Sequence, residues 1–177
     1  MKKGMFFVLF VFAILSVSAC GSAQFQNVAD DNPITDQTCT VIVDRTQSLD
    51  EMIQAGRYSF VSDYFTAENF PVEQPQVEVE VTLHVITMNR VVTTNAILAE
   101  IDKRGLRPAT LSELLAFGVK YPSAQRHFSV VAFGSIWSIS GFRVVTFLSG
   151  DDDIRALNMD YFGGDWDEAT RFLAVVK

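Results

Sequence analysis

Two cysteines and two histidines in 177 residues are too few for a disulfide framework or a dense zinc site. Cations are scarce too, 14 Lys and Arg against 21 Asp and Glu, for a net charge of −7. Phosphate contact needs clustered Lys and Arg, so the composition speaks against a nucleic-acid partner. There is no Gly-rich phosphate loop, and Gly134-Ser135 is not part of a Gly-x-Ser-x-Gly elbow, so neither a nucleotide site nor a serine hydrolase is indicated. Charged residues make up only 20% and apolar ones 49%, a balance that excludes a disordered chain and suits one folded domain. No internal repeat is present.

No apolar run is long enough to span a membrane as a helix, which takes about 20 residues. The longest, Met5 to Leu15, follows Lys2 and Lys3 and has the length of a signal-peptide core. It leads into Val17-Ser18-Ala19-Cys20-Gly21, which resembles the lipobox of bacterial lipoproteins. That resemblance implies cleavage after residue 19, diacylation of the Cys20 thiol and a place in the cell envelope. Gly21, a residue other than Asp after the acylated cysteine, implies the outer membrane if the host is Gram-negative. Two acyl chains give the stable anchoring that one does not. Loss of residues 1–19 leaves 158 residues with 12 cations against 21 anions, so an acidic body is expected to stand off anionic headgroups.

Residues 20–37 are polar, with Asp30, Asp31, Pro33 and Asp36, and read as a tether. The globular domain is expected over residues 38–177. Cys39, in the β-type run Thr38 to Val43, reads as a buried small hydrophobe, since His84 and His127 are too distant in sequence to pair it as a nucleophile. Ser48-x-x-Glu51 and Thr110-x-x-Glu113 are capping boxes that open helices, the first with Gly56 as its stop. Thr94 is placed as the cap of a further helix ending at Gly105. Val77, Val79, Val81, Leu83 and Val85 alternate with Glu78, Glu80, Thr82 and His84, the pattern of a half-buried strand. Strands follow at 128–133, 136–139, 142–148, 154–161 and 171–176, with Ser140-Gly141 as a tight turn. The sum is an α+β domain, two adjacent helices packed on an antiparallel sheet.

Arg107-Pro108-Ala109-Thr110, Glu113-Leu114-Leu115, Tyr121-Pro122, Phe133-Gly134-Ser135, Trp137 and Arg171 to Val175 together resemble a family of small bacterial proteins without an assigned activity, over residues 60–177. The Arg107-x-x-Thr110-x-x-Glu113 helix start and the closing Phe172 to Val176 strand are also similar to the C-type-lectin-like fold, including its formylglycine-generating-enzyme branch. That branch uses late cysteines, and none follows Cys39, so its activity is not implied. A lectin-like fold implies a binding module.

Candidate site residues fall in three places. Asp151-Asp152-Asp153 offers three carboxylates for Ca²⁺, or a plain solvated turn. In Phe162-Gly163-Gly164-Asp165-Trp166-Asp167-Glu168, an indole flanked by carboxylates suits a sugar ring, while the plainer reading makes Trp166 a plug for the core. Trp137 and Arg143, across the Ser140-Gly141 turn, form a face that stacks or binds an anion, or else pack as core and solvated surface. His84 and His127 read as solvent-facing. No catalytic residue, metal or cofactor is assigned. The expectation is a lipid-anchored, non-catalytic binding or interaction module using Trp137, Arg143, Asp165, Trp166 and Asp167, with a glycan or an envelope protein as partner. Two alternatives stand beside it: a glycan-active envelope hydrolase driven by Asp160, Asp165 or Asp167, and a purely structural lipoprotein.

Overall fold

A computed structural model describes residues 37–177. The signal peptide, Cys20 and the tether up to residue 36 lie outside the described residues. Within them the chain runs β1 (Gln37–Asp44), α1 (Leu49–Gly56), β2 (Phe60–Val61), β3 (Glu78–Thr87), β4 (Val92–Thr93), α2 (Thr94–Lys103), β5 (Leu106–Pro108), α3 (Leu111–Lys120), a 3-10 turn at Ala124–Arg126, β6 (Val130–Ile139), β7 (Phe142–Gly150), β8 (Arg155–Tyr161), β9 (Asp165–Trp166) and β10 (Arg171–Val176). The class is α+β, with three helices among the described residues.

The sheet is mixed, where an antiparallel one was expected. Its order is β1-β3-β10-β6-β7-β8-β2, with β5 also on β10, and β4 and β9 form a separate ribbon. β10 runs parallel to β6, and β2 parallel to β8. The reason lies in β10, whose run from Arg171 to Val175 is buried without alternation. A strand covered on both faces belongs mid-sheet, and β10 enters between β3 and β6.

Two cores result. On one face α1 and α3 bury Leu49, Met52, Leu114, Leu115 and Phe117 against Val41, Leu83, Leu148, Leu157 and Leu173. On the other α2 and the β4–β9 ribbon bury Ile97, Ile101, Val92 and Trp166 against Ile86, Phe133, Val145 and Phe172. Both capping boxes form as expected, Ser48 with Glu51 and Thr110 with Glu113.

Three local expectations shift. Thr93, not Thr94, caps α2, because the Thr94 hydroxyl is engaged by Trp166 and the Phe162 carbonyl. Arg57, not Gly56, takes the left-handed position after α1, with φ of 50°. Gly56 ends the helix packed on the Tyr58 ring, which a Cβ would strike. The two strands expected at 128–133 and 136–139 are one, β6, with a register shift between Ala132 and Ile136. In that bulge the Gly134 amide donates to the Ala109 carbonyl at 2.8 Å, and a Cβ on Gly134 would sit 2.5 Å from that oxygen. Ser135 Oγ accepts from the Leu111 amide at 2.9 Å. The bulge therefore carries β6 against the start of α3.

Candidate functional site

The β6–β7 hairpin turns through Ser140 and Gly141 at φ of 50° and 85°, the geometry two-residue hairpins favour. Its register decides which side chains share a face. Trp137 stands opposite Val144, and Val144 opposite Tyr161, so these three form a row on the α1/α3 side. Phe142 belongs to the same face two residues along β7. Its ring meets that of Tyr161 at 6.0 Å, nearly edge-on. A loop from the stretch between α1 and β3 completes the surface: Tyr64 lies 5.4 Å and Phe70 6.2 Å from Trp137, with Phe65 behind Phe70 at 5.2 Å.

The rings thus grade from core to water. Phe65 and Phe70 are buried and Trp137 is half-buried, while Tyr64, Tyr161 and Phe142 are 48%, 50% and 63% exposed. Three large rings at that exposure around an indole form a patch, rather than the isolated apolar residues any surface carries. Gly163 serves the patch directly, since a Cβ there would sit 2.7 Å from the Tyr161 ring.

The five sequence-derived binding residues do not come together. Ser138, not Trp137, stands opposite Arg143, so Trp137 and Arg143 project to opposite faces of the hairpin. The Arg143 guanidinium lies 4.0 Å over the Phe162 ring, on the α2 side. Trp166 is the plug of the plainer reading: 6% exposed, with Nε1 donating to Thr94 Oγ1 at 2.9 Å and its ring edge-on to Phe133 and Phe172. Asp165 is exposed on the β4–β9 ribbon opposite Thr93. Asp167 accepts from the Thr170 hydroxyl at 2.7 Å and organises the turn into β10.

The carboxylates proposed for chemistry are likewise dispersed. Asp160 stands opposite Val145, on the face away from Trp137. Asp151 accepts from the Ile154 and Asp153 amides at 2.8 and 2.9 Å, and those bonds hold its carboxyl below the usual range. The Asp152 carbonyl takes a bond from Arg126, and Asp152 and Asp153 are exposed. Among the described residues no three His, Cys, Asp or Glu are grouped as a metal site. Cys39 is buried and its thiol is pushed up to about 11, by desolvation against a hydrogen bond with Tyr121. His84 is half-buried and His127 exposed.

The Arg107/Glu113 pair is structural. Glu113 is fully buried, receives Arg107 in a two-pronged pair at 3.0 and 2.7 Å, and accepts from the Thr110 amide at 2.8 Å. Arg45 approaches it at 3.9 Å. The motif anchors the start of α3 between β5 and β6.

Compared with family models, curated proteins and solved structures, the chain matches none of the three.

Proposed function

We propose that the protein is a lipid-anchored binding module of the bacterial cell envelope, carried on diacylated Cys20 and spaced from the membrane by residues 21–36. The observation that carries the reading is the aromatic patch of Tyr64, Trp137, Tyr161 and Phe142. Flat rings offer apolar faces to the C–H face of a sugar, and the Tyr64 and Tyr161 hydroxyls offer polar edges for its hydroxyl groups. A neutral glycan fits best, because a net charge of −7 on the chain repels anionic polymers. The same proposal includes the C-type-lectin-like relationship, supported by the Arg107, Thr110 and Glu113 helix start and the closing strand at Arg171–Val176.

Neutral chito-oligosaccharides titrated into the protein, with the heat of binding measured by isothermal titration calorimetry, test the site. Trp137→Ala and Tyr161→Ala are expected to weaken binding about tenfold each, the effect of about 1.4 kcal/mol. Absence of saturable binding, or binding that both variants leave intact, refutes the reading. Radiolabelled palmitate incorporated by the wild type and lost in Cys20→Ser tests the anchor.

A further inference from the structure

A second surface lies at the opposite edge of the sheet. Among the described residues β1 is the end strand, paired only with β3. Antiparallel ladders alternate residues whose N–H and C=O face the partner with residues whose groups face away. The Arg45 amide donates to Val77, so the odd-numbered positions face β3. The Thr40 carbonyl instead accepts from Lys120 Nζ, and the Asp44 carbonyl from the Gln47 amide. Thr38, Thr40 and Ile42 therefore turn their main-chain groups outward.

Along this edge runs a groove of about 380 Å³, between Ile42 and Asp44 on β1, Met52 and Ala55 on α1, and Leu115, Ala116, Val119 and Lys120 on α3. Its lining is mostly apolar, and Ile42 and Val119 are 51% and 45% exposed. Charge marks its two ends: the Lys120 ammonium sits at Thr40 and the Asp44 carboxylate four residues along, about 13 Å at strand spacing.

We infer that β1 and this groove bind the C-terminal segment of a partner protein as an added strand, a mode that uses main-chain bonds for affinity and side-chain pockets for selection. The ends fix the polarity. The terminal carboxylate meets Lys120, which occupies the Thr40 carbonyl and so closes the edge to further pairing. The segment then runs back past Ile42, antiparallel to β1, and inserts an apolar side chain between Met52, Leu115 and Val119. A basic residue three or four positions before its end meets Asp44. The inference is independent of the aromatic patch, which lies at the other end of the sheet order.

The test uses the full chain in detergent micelles and a labelled hexapeptide, Thr-Lys-Val-Thr-Val-Val, with either a free carboxylate or a C-terminal amide. Saturable binding of the acid is expected, with amide-proton shifts and slowed exchange at Thr40 and Ile42. The amide form and Lys120→Met should each bind about tenfold more weakly. Ile42→Pro removes an outward N–H without touching the β1–β3 ladder and should abolish binding; Val119→Lys, at an exposed helix position, repeats the test should the proline variant unfold. Equal binding of acid and amide, or shifts elsewhere than β1, α1 and α3, overturns the inference. So does protection at Thr40 and Ile42 before peptide is added: lost on dilution it means a second copy on the edge, and kept on dilution it means the chain's own N-terminal segment.

Discussion

Arg155 is a buried guanidinium with no carboxylate partner among the described residues, and its replacement sets two costs against each other. It is 9% exposed, and burial pulls its pKa down. Nη1 donates to the Gly56 carbonyl at the end of α1, and Nη2 to the Gly118 carbonyl of α3 at 2.8 Å and to Gln125 Oε1 at 3.1 Å. The guanidinium also lies 5.1 Å over the Tyr58 ring. Arg155→Met relieves a desolvated charge, and the replacement of whole buried ion pairs by apolar residues, neutral or stabilising by about 1–4 kcal/mol, bounds that gain. Against that, three buried acceptors lose their donor, at about 1–3 kcal/mol each. Loss of the cation–π contact adds about 0.5–2 kcal/mol. The acceptors outweigh the charge, and at mid-range a net loss of about 5 kcal/mol follows. For a domain of this size, about 2–4 °C per kcal/mol turns that into a fall in Tm of about 10–20 °C. Urea and thermal unfolding followed by circular dichroism measure it. Arg155→Lys should lose nearly as much, since one ammonium cannot reach three acceptors placed for a planar fork. A methionine variant as stable as the wild type refutes the reasoning, and full rescue by lysine shows that charge rather than geometry holds the two helix ends.

Glu113→Ala removes the carboxylate half of the α3 capping box and the counter-charge of Arg107, and should cost about 3–5 kcal/mol by urea midpoint, more than Thr110→Ala at about 1 kcal/mol. Trp166→Phe keeps most of the core volume but removes the indole N–H bond to Thr94, for about 1 kcal/mol, whereas Trp166→Ala should cost about 3–5 kcal/mol. Hydrogen bonds from Thr46, Ser48 and the Ile154 and Asp153 amides lower the carboxyls of Asp44, Glu51 and Asp151. A carboxyl lowered in the folded state stabilises above its unfolded value of about 4, and that contribution is lost as pH falls through the folded value. Urea midpoints should therefore be level above about pH 5 and decline below about pH 4, less steeply in Asp151→Asn. Cys39, pushed up to about 11, should resist alkylation at pH 8 until denaturant is added; rapid modification of the folded protein would contradict its burial.

Local signals translated well where a single physical rule decides the outcome. Both capping boxes formed because Ser48 and Thr110 each meet a glutamate at the third helical position. The alternation from Val77 to Val85 became β3, and Ser140-Gly141 became the β6–β7 turn. Long-range outcomes were less legible. Nothing local in Phe60-Val61 or Leu106 to Pro108 marks a strand; each pairs only because β8 or β10 comes alongside. The parallel entry of β10 did leave a trace in its unbroken apolar run, which signals burial on both faces.

The candidate site shows the same division. Trp137 and Trp166 have equal standing as sequence, each an indole in a run that alternates or turns, yet one is half-buried under water-facing rings and the other closes a core. The difference is a matter of register. The bulge at Phe133 to Ser135 shifts β6 against β7 between Ala132 and Ile136, and this register sets Trp137 opposite Val144 and Ser138 opposite Arg143. A one-residue slip would reverse the faces and put Trp137 on the α2 side. That bulge is fixed from outside the strand, by the Ala109 carbonyl on Gly134 and the Leu111 amide on Ser135, both at the start of α3. The helix start held by Arg107 and Glu113 and the placement of the aromatic patch are thus two consequences of one packing arrangement. Substituting Gly134 should therefore damage ligand binding at Trp137 more than its own burial suggests, because it disturbs the register on which the patch depends.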